Sequence, residues 1–246
     1  MNRHERARQI VSLLDLTSLS GTETGADIDA LCARADGPGG RVAALCVHAR
    51  HLPRVRGNLD GLGRSGIELA TVANFPAGDL APPAAVVEIR EAVHLGATEV
   101  DLVFPHAAFL QGREDAVREF LVQCRQACPV RLKVILESGV LAGPESIRAA
   151  ARLALDCGAD FLKTSTGKAA VHATPEAARV MLETIAERGG EAGFKASGGL
   201  RTMADALPYL ELAEEILGPG WIGPRTFRFG ASGLLDAVLA EAAGRA

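Results

Sequence analysis

The fold of this chain is decided by residues 158–168, which read Gly158-Ala159-Asp160-Phe161-Leu162-Lys163-Thr164-Ser165-Thr166-Gly167-Lys168. A short apolar segment ends in Lys163, and small hydroxylated residues and a glycine follow it. Lysine is rarely buried unless it is paired or its pKa is shifted. The stretch therefore indicates a buried amine nucleophile beside a phosphate-accepting turn or, more simply, a solvated lysine in an ordinary loop.

Seven further apolar segments occur along the chain and alternate with helical patterns. The expected strands cover 14–17, 42–47, 69–74, 99–104, 132–137, 160–164, 193–196 and 226–229. The expected helices cover 3–13, 27–35, 82–95, 114–128, 145–157, 175–188, 203–217 and 234–243. Continuous apolar strands joined by helices are typical of a parallel sheet covered on its outer face. The pattern predicts one α/β domain over residues 1–246, a (β/α)8 TIM barrel with an additional N-terminal helix at its bottom.

Polar residues stand within or at the ends of these strands, namely Asp15, Cys46, Asn74, Asp101, Lys133, Lys163 and Lys195. In a barrel such residues can point into the interior and toward the carboxyl-end mouth, where barrel enzymes place their chemistry. Burying an ammonium group without a partner costs several kcal/mol. We therefore expect the three lysines to be balanced by Asp15 and Asp101 in one charged site.

Lys163 and Lys195 fall on the sixth and seventh expected strands, which are neighbours in a sequentially ordered barrel. Two adjacent ammonium groups repel, and the repulsion lowers the pKa of one of them, so that a free amine can form a Schiff base. An iminium is an electron sink for breaking a neighbouring C–C bond, and Asp101 could shuttle the protons. Lys133 would hold that carboxylate ionised. The pattern predicts class I aldolase chemistry.

Glycines follow the last three expected strands, in Thr166-Gly167-Lys168, Ser197-Gly198-Gly199 and Gly230-Ala231-Ser232-Gly233. Glycine lets backbone N–H groups approach an anion closely, and the last run opens a helix whose N-terminus favours negative charge. One such turn is weak support for a ligand site. Three on the same barrel sector predict a phosphate site.

Composition restricts the other classes of protein. The 246 residues are 48% apolar, carry a formal net charge of −4 and show no Lys/Arg block, which argues against nucleic acid or an anionic membrane as partner. No apolar run reaches membrane-span length or forms a signal-peptide core, so we expect a cytoplasmic protein. The five scattered cysteines fit core thiols in a reducing compartment.

Seven separated motifs resemble those of the deoxyribose-phosphate aldolase family, in that family's order and over nearly the whole chain. They are Leu14-Asp15-Leu16-Thr17-Ser18-Leu19, Val72-Ala73-Asn74-Phe75-Pro76-Ala77-Gly78, Gly96-Ala97-Thr98-Glu99-Val100-Asp101, Leu132-Lys133-Val134-Ile135-Leu136-Glu137, Gly158 to Gly167, Lys195-Ala196-Ser197-Gly198-Gly199 and Phe229-Gly230-Ala231-Ser232.

The resemblance implies reversible cleavage of 2-deoxy-D-ribose 5-phosphate to acetaldehyde and D-glyceraldehyde 3-phosphate, in deoxyribonucleotide catabolism and without a metal or other cofactor. It implies that Lys163 is the Schiff-base lysine, Lys195 its pKa-lowering partner and Asp101 the proton shuttle. Asp15 and Thr17 would meet substrate hydroxyls, and Cys46 and Lys133 would lie near the substrate. The phosphate would be held in the glycine-bearing loops by Thr166, Gly167, Lys168, Gly198, Gly199, Gly230, Ser232 and Gly233.

The chain departs from the family pattern in three places. Gly233 stands where some members carry a second serine. The chain therefore has one hydroxyl fewer to bind the phosphate, but the backbone N–H remains. Some members end in a tail with a proton-transferring tyrosine, whereas here the last residues are 241–246 and the single tyrosine is Tyr209, which puts tail-assisted proton transfer in doubt. Ser138 replaces a common threonine, a minor change.

The histidines predict no metal site. His48 and His51 have a spacing that suits a metal on a helix, but no third ligand is evident, and His106 and His172 are similar cases. We interpret them as polar residues at the mouth or rim. Cys46 is interpreted either as a residue near the substrate or as a small core residue.

Two alternatives stay open on the residues alone. One is a Schiff-base barrel enzyme for a longer substrate, such as a transaldolase-like or other sugar-phosphate aldolase. The other is a non-catalytic sugar-phosphate-binding barrel, which is disfavoured because Lys163, Lys195 and Asp101 are all intact. A homodimer is compatible with the sequence, but no motif supports one.

Overall fold

Eight parallel strands close into a barrel in sequential order, and the first strand is hydrogen-bonded to both the second and the eighth. The computed structural model describes residues 1–141 and 143–243. The strands are β1 (Leu14–Ser18), β2 (Ala44–Val47), β3 (Glu68–Ala73), β4 (Glu99–Val103), β5 (Arg131–Ile135), β6 (Phe161–Lys163), β7 (Gly193–Ser197) and β8 (Phe227–Ala231). The predicted barrel is confirmed, and every expected strand is present within two residues of its expected start.

Helices cover the outside of the barrel. They are α1 (Arg3–Ser12), α2 (Gly25–Ala33), α3 (Leu52–Gly61), α4 (Pro82–His94), α5 (His106–Leu110), α6 (Glu114–Ala127), α7 (Pro144–Asp156), α8 (Pro175–Glu187), α9 (Met203–Leu217) and α10 (Leu234–Ala242). Capping boxes begin α1, α2 and α9 at Asn2, Thr24 and Thr202, where a side-chain oxygen satisfies a free backbone N–H. In the part of the chain that the structure describes, no helix is long and apolar enough to cross a membrane.

The leading helix α1 is present, as expected, and only Leu13 separates it from β1. It packs against α10 and against a short antiparallel hairpin formed by residues 36–37 and 40–41. The sequence did not predict this hairpin, nor α3 and α5. Asn74, expected within the third strand, instead follows β3 with a left-handed backbone, φ 55°.

The barrel interior is closed from below by an aromatic side chain. Phe161 lies in register with Gly193, and a Cβ at that glycine would collide with the Phe161 ring. The guanidinium of Arg131 lies over the same ring, 5.8 Å from its centroid. The space above Phe161 is consequently left for polar side chains, and these point toward the carboxyl ends of the strands.

Candidate active site

Seven charged side chains from six strands meet inside the barrel and are here named the ion cluster. They are Asp15 of β1, Glu99 and Asp101 of β4, Lys133 of β5, Lys163 of β6, Lys195 of β7 and Arg228 of β8. Each exposes at most 3% of its surface. Successive side chains of a strand point to opposite faces, so Glu99 and Asp101, two residues apart, both face the interior. The structure therefore brings Asp15, Asp101 and the three lysines together in one charged site, as predicted.

The upper part of the ion cluster is built around one carboxylate. Asp101 Oδ2 accepts hydrogen bonds from Lys163 Nζ and Lys195 Nζ, each at 2.8 Å, and Asp101 Oδ1 accepts one from Lys133 Nζ at 2.8 Å. Lys195 Nζ also donates to Asp15 Oδ2 at 2.5 Å. Asp101 is thus held rigidly between three ammonium groups.

The lower part of the ion cluster is built around Glu99. Its carboxylate lies 2.6 Å from Lys133 Nζ and accepts from Arg228 Nη2 at 2.9 Å. Arg228 Nη1 in turn donates to Asp15 Oδ1 at 2.5 Å, and Arg131 pairs with Glu99 from below. Both oxygens of Asp15 are therefore occupied by cations of the protein.

The pKa values within the ion cluster separate Lys163 from the other lysines. Burial, reinforced by the neighbouring ammonium of Lys195, lowers the pKa of Lys163 even though Asp101 opposes the shift. Burial would also lower the pKa of Lys195, but the carboxylates of Asp101 and Asp15 outweigh it and raise that pKa. The pKa of Lys133 is raised for the same reason. Lys163 is thus the lysine most easily converted to a free amine.

Asp101 is kept ionised by its surroundings. Burial would raise the pKa of this carboxyl group, but the ammonium groups of Lys133, Lys163 and Lys195 hold it well below its ordinary value. Asp15 and Glu99 have lowered pKa values because their cationic partners likewise outweigh burial. The three carboxylates are therefore anionic at neutral pH.

A cavity of about 780 Å³ opens at the carboxyl ends of the strands, directly above Lys163. Ten of the residues proposed from the sequence line it, namely Thr17, Lys163, Thr166, Gly167, Lys168, Gly198, Gly199, Gly230, Ser232 and Gly233. The other five, Asp15, Cys46, Asp101, Lys133 and Lys195, lie beneath it and are fully buried. Lys163 is thus the member of the ion cluster that a molecule in the cavity meets first.

Backbone conformation shapes the glycine-bearing loops. Gly167, Gly198 and Gly199 all have positive φ, at 76°, 85° and 77°, a region that other residues rarely enter. A Cβ at Gly198 would lie 2.9 Å from Ser165 Oγ and 2.9 Å from His172 Cβ, so no larger residue fits there. These turns leave backbone N–H groups free to approach an anion.

A buried glutamate orders the loop after β6. Glu137 accepts hydrogen bonds from Thr166 Oγ1 at 2.6 Å and from the Thr166 backbone N–H at 3.2 Å. The Lys168 backbone N–H then donates to Thr166 Oγ1 at 3.0 Å. Glu137 itself has a left-handed backbone, φ 54°. The loop that carries Lys168 is consequently fixed in place by the loop after β5.

Other residues of the site were not singled out from the sequence. Glu99 and Arg228 complete the ion cluster, and strand alternation could have revealed them, because they stand two residues before Asp101 and Gly230. Arg201 lines the cavity and lies on a loop without periodicity, so no sequence signal identifies it. His172, interpreted from the sequence as a polar residue at the mouth or rim, lines the cavity as well.

A small apolar wall faces the charged side of the barrel. Leu19, Ala44, Cys46 and Ala70 form a separate buried group, against which Val72 and Phe75 pack. Burial raises the pKa of the Cys46 thiol. Cys46 is thus a neutral, small side chain at this wall and no thiolate nucleophile.

The histidines form no metal centre in residues 1–141 and 143–243, where no group of three or more His, Cys, Asp or Glu side chains is placed to hold an ion. His48 precedes a short 3-10 helix that His51 ends, and the His51 ring accepts from Arg50 Nε at 3.1 Å.

A model of the family described as DeoC/LacD family aldolase matches residues 9–234. Three solved structures match this chain over at least 94% of its length. A Toxoplasma gondii ME49 protein, provisionally named a deoxyribose-phosphate aldolase, is 25% identical, with a TM-score of 0.90 and 99% of this chain and 96% of that chain covered. A deoxyribose phosphate aldolase of Aeropyrum pernix, described as tetrameric, is 26% identical, with a TM-score of 0.73 and 96% and 95% covered.

A third structure, from Coccidioides immitis, carries the same provisional aldolase name as the Toxoplasma protein. It is 29% identical, with a TM-score of 0.81, and the match covers 94% of this chain and 85% of that chain.

Proposed function

The chain belongs to the DeoC/LacD family of aldolases, and from this premise we propose that Lys163 is its Schiff-base lysine and 2-deoxy-D-ribose 5-phosphate its substrate. The products are acetaldehyde and D-glyceraldehyde 3-phosphate, and the reaction is reversible. One observation carries the proposal. Lys163 is the ion-cluster lysine that lines the cavity, and it is also the lysine whose pKa is lowered.

The first step converts the sugar aldehyde into an electron sink. The free amine of Lys163 attacks C1 of the open-chain sugar, the adduct takes up one proton on its hydroxyl, and loss of that group as water gives an iminium ion. The positive charge of the iminium replaces that of an ammonium at the same place, 2.8 Å from Asp101 Oδ2 in the free protein. Asp101 can therefore stabilise it without rearrangement.

The second step breaks the bond between C2 and C3. A base removes the proton of the C3 hydroxyl, C3 becomes the aldehyde of glyceraldehyde 3-phosphate, and the bonding electrons pass to the iminium and leave an enamine. A proton is then returned to C2 of the enamine. Water hydrolyses the resulting iminium, which releases acetaldehyde and the amine of Lys163. Asp101 Oδ2, shared by Lys163 and Lys195, is the group we assign to this proton transfer, directly or through a water molecule.

The phosphate is assigned to the far side of the cavity. The loops after β6, β7 and β8 supply free backbone N–H groups, and Lys168 and Arg201 supply positive charge at the mouth. The N-terminus of α10, at Gly233, adds a favourable helix dipole. The iminium acts as the electron sink, so the chemistry calls for no metal.

Borohydride trapping with acetaldehyde, followed by peptide mass mapping, tests the proposal. The adduct is expected on Lys163. A product assay then distinguishes the substrates, because an aldolase for a longer sugar would not accept acetaldehyde as donor with glyceraldehyde 3-phosphate. Trapping at another lysine, or failure to form deoxyribose 5-phosphate, contradicts the proposal.

We extend the proposal to the setting of the enzyme. The domain of residues 1–246 would work in the cytoplasm as an assembly of identical chains, in the simplest case a homodimer. The description of the Aeropyrum pernix relative as a tetramer supports self-association in this family. Light scattering on the purified protein tests it, and a monomer at micromolar concentration would contradict it.

A further inference from the structure

Glu99 and Arg228 are fully buried charges that the proposed reaction does not use. Neither lines the cavity, and they are exposed by 0% and 1%. They bind each other through Arg228 Nη2 and Glu99 Oε1 at 2.9 Å, and Arg228 Nε donates to the backbone carbonyl of Pro224. A buried ion pair of this kind is expensive to desolvate, and an apolar pair of equal volume is often as stable. Stability alone therefore gives no reason for the pair.

The formal charges of the ion cluster do not cancel while every lysine is protonated. Asp15, Glu99 and Asp101 contribute three negative charges, and their pKa values are all lowered. The cations are Lys133, Lys163, Lys195 and Arg228, which makes four. Arg131 also touches Glu99, but a quarter of its side chain is exposed, so water solvates its charge. The ion cluster therefore carries one excess positive charge while all three lysines are protonated.

The geometry decides which lysine carries that excess charge. Lys133 lies between Glu99, Asp101 and Asp15, at 2.6, 2.8 and 3.7 Å. Lys195 lies between Asp15 and Asp101, at 2.5 and 2.8 Å. Lys163 is paired with Asp101, and shares with Lys195 the oxygen that it contacts. The least compensated ammonium is therefore the one at the cavity.

We propose that Glu99 and Arg228 are positioning residues that fix the charge balance of the ion cluster, so that Lys163 is the ammonium that gives up its proton. Removal of that proton leaves three cations, Lys133, Lys195 and Arg228, against three carboxylates. The inference rests on the proposed function only in the use made of the resulting amine.

The pair acts on Lys163 at a distance, through the other members of the cluster. Arg228 donates to Asp15 Oδ1, so Oδ2 of the same carboxylate is left for Lys195. Glu99 pairs with the ammonium group of Lys133, and that ammonium group orients Asp101. The remaining groups that face Lys163 are Lys195 and Asp101 from the strands beside and across from it, the neutral Cys46, and Lys168, Arg201 and His172 at the cavity above.

Two charge-removing substitutions are expected to have opposite effects. Arg228→Met removes a cation, so the three carboxylates are balanced only if Lys163 keeps its proton, and the pKa of Lys163 rises. Glu99→Gln removes an anion, so the interior is positive even without that proton, and the pKa of Lys163 falls. We expect shifts of about one pH unit or more in each direction, as for other charges in a desolvated site. The double variant restores the balance and returns the value to within about half a unit of wild type.

The measurement follows the free amine directly. Lys163 is labelled with limiting acetic anhydride over a range of pH, and its extent of modification is quantified by peptide mass spectrometry. No substrate is needed, so the titration stands even if the wild-type enzyme fails to trap acetaldehyde, which would overturn the proposed function alone. Shifts of equal sign in the two variants, or no shift, overturn the positioning role.

Matched controls separate charge balance from general damage. Arg179 and Glu215 form an exposed pair between α8 and α9, at 2.8 and 2.9 Å, and Arg179→Met and Glu215→Gln should leave the Lys163 titration unchanged. Circular dichroism checks folding. If Arg228→Met does not fold, the isosteric Glu99→Gln decides alone. A downward shift then supports the proposal, and an unchanged or upward one overturns it.

Discussion

Lys163 and Lys195 stand opposite each other in the register of β6 and β7, and both donate to the same oxygen, Asp101 Oδ2, at 2.8 Å. One carboxylate oxygen therefore stabilises two ammonium groups that repel each other. Lys195 has Asp15 as a second carboxylate partner, and Lys163 has no second one among the residues that the structure describes. The positive charge of Lys163 is therefore less compensated, although the two lysines occupy paired positions on neighbouring strands.

Replacing Lys163 with alanine should abolish covalent trapping of acetaldehyde. The other cluster lysines lie beneath the cavity and keep raised pKa values, so they offer no free amine in its place. Intact mass after borohydride reduction checks this. Lys168→Ala is the matched control, because Lys168 lines the same cavity but is exposed, and that variant should still trap acetaldehyde. Label on another lysine of Lys163→Ala would contradict the assignment.

Replacing Lys195 with leucine should raise the pKa of Lys163. The substitution removes a neighbouring positive charge, and it leaves Asp101 with one ammonium fewer, so both effects favour the protonated form of Lys163. Schiff-base formation requires the free amine, and its pH optimum should accordingly move upward, with activity partly recovered in alkali. The pH dependence of trapping measures the shift. An unchanged profile with weaker substrate binding would mean that Lys195 only binds substrate.

A negative charge at Ser232 should act selectively on phosphorylated substrate. Ser232 is exposed at the cavity, so Ser232→Asp opposes the phosphate by an amount on the order of 1 to 4 kcal/mol. Activity on deoxyribose 5-phosphate should fall far more than activity on deoxyribose. Ser232→Asn, of nearly equal size and without charge, is the control and should affect both substrates modestly. Equal losses in the aspartate variant would place the phosphate elsewhere.

A methyl group at Gly230 should disturb Lys195. The added Cβ would lie 2.8 Å from Lys195 Cε and 2.9 Å from Ser197 Cβ, closer than such carbons pack. Gly230→Ala is expected to lower the trapping rate by about tenfold or more, because misplaced catalytic groups have effects of that size. Gly57→Ala, on α3 with no neighbouring atom within 4 Å, should leave the rate unchanged. Equal rates in the two variants would contradict this account.

Glu23 should contribute stability that is lost in acid. Although burial opposes the shift, hydrogen bonds from the backbone N–H groups of Glu23 and Ser20 and from the side chains of Ser20 and Ser18 lower the pKa of Glu23 to about 2. A depressed carboxyl pKa stabilises the fold above the unfolded value, near ~4.3, and the contribution disappears as the pH falls toward the folded value.

The destabilisation caused by Glu23→Gln should therefore be largest above about pH 5 and should shrink toward pH 2, with a maximum on the order of 1 to 3 kcal/mol. Urea unfolding at several pH values measures it. Glu191→Gln, at an exposed position, should show little effect at any pH. A difference for Glu23→Gln that is independent of pH would contradict the assignment.

The barrel could be predicted because its strands are short, apolar and buried on both faces. Helix α3 was missed because Gly57 and Gly61 disfavour helix by propensity, while burial of Leu52 and Val55 outweighs them and Pro53 lies in the first turn, where proline is tolerated. The hairpin at residues 36–41 was missed because its two-residue strands carry no alternation. Local sequence patterns fail to predict an element when tertiary packing, rather than local propensity, stabilises it.

The core of the site was predicted in the same way, from charges on apolar strands. The expectation that repulsion by Lys195 is the main source of the lowered Lys163 pKa needed refinement, since burial has the larger effect. Glu99 and Arg228 were not predicted to belong to the site, because their role depends on pairing across the barrel. The three residues at 244–246, where a tail tyrosine was sought, lie outside the described residues.

The ion cluster also limits how this barrel can evolve. Glu99 and Arg228 are 129 positions apart in the sequence and yet are joined by two hydrogen bonds. A lineage that loses Arg228 alone keeps Lys163 protonated, and one that loses Glu99 alone leaves a positive charge unmatched in the interior, so the intermediate is at a disadvantage whichever is lost first. Across homologous chains the two positions should therefore be inherited together, either both charged or both apolar.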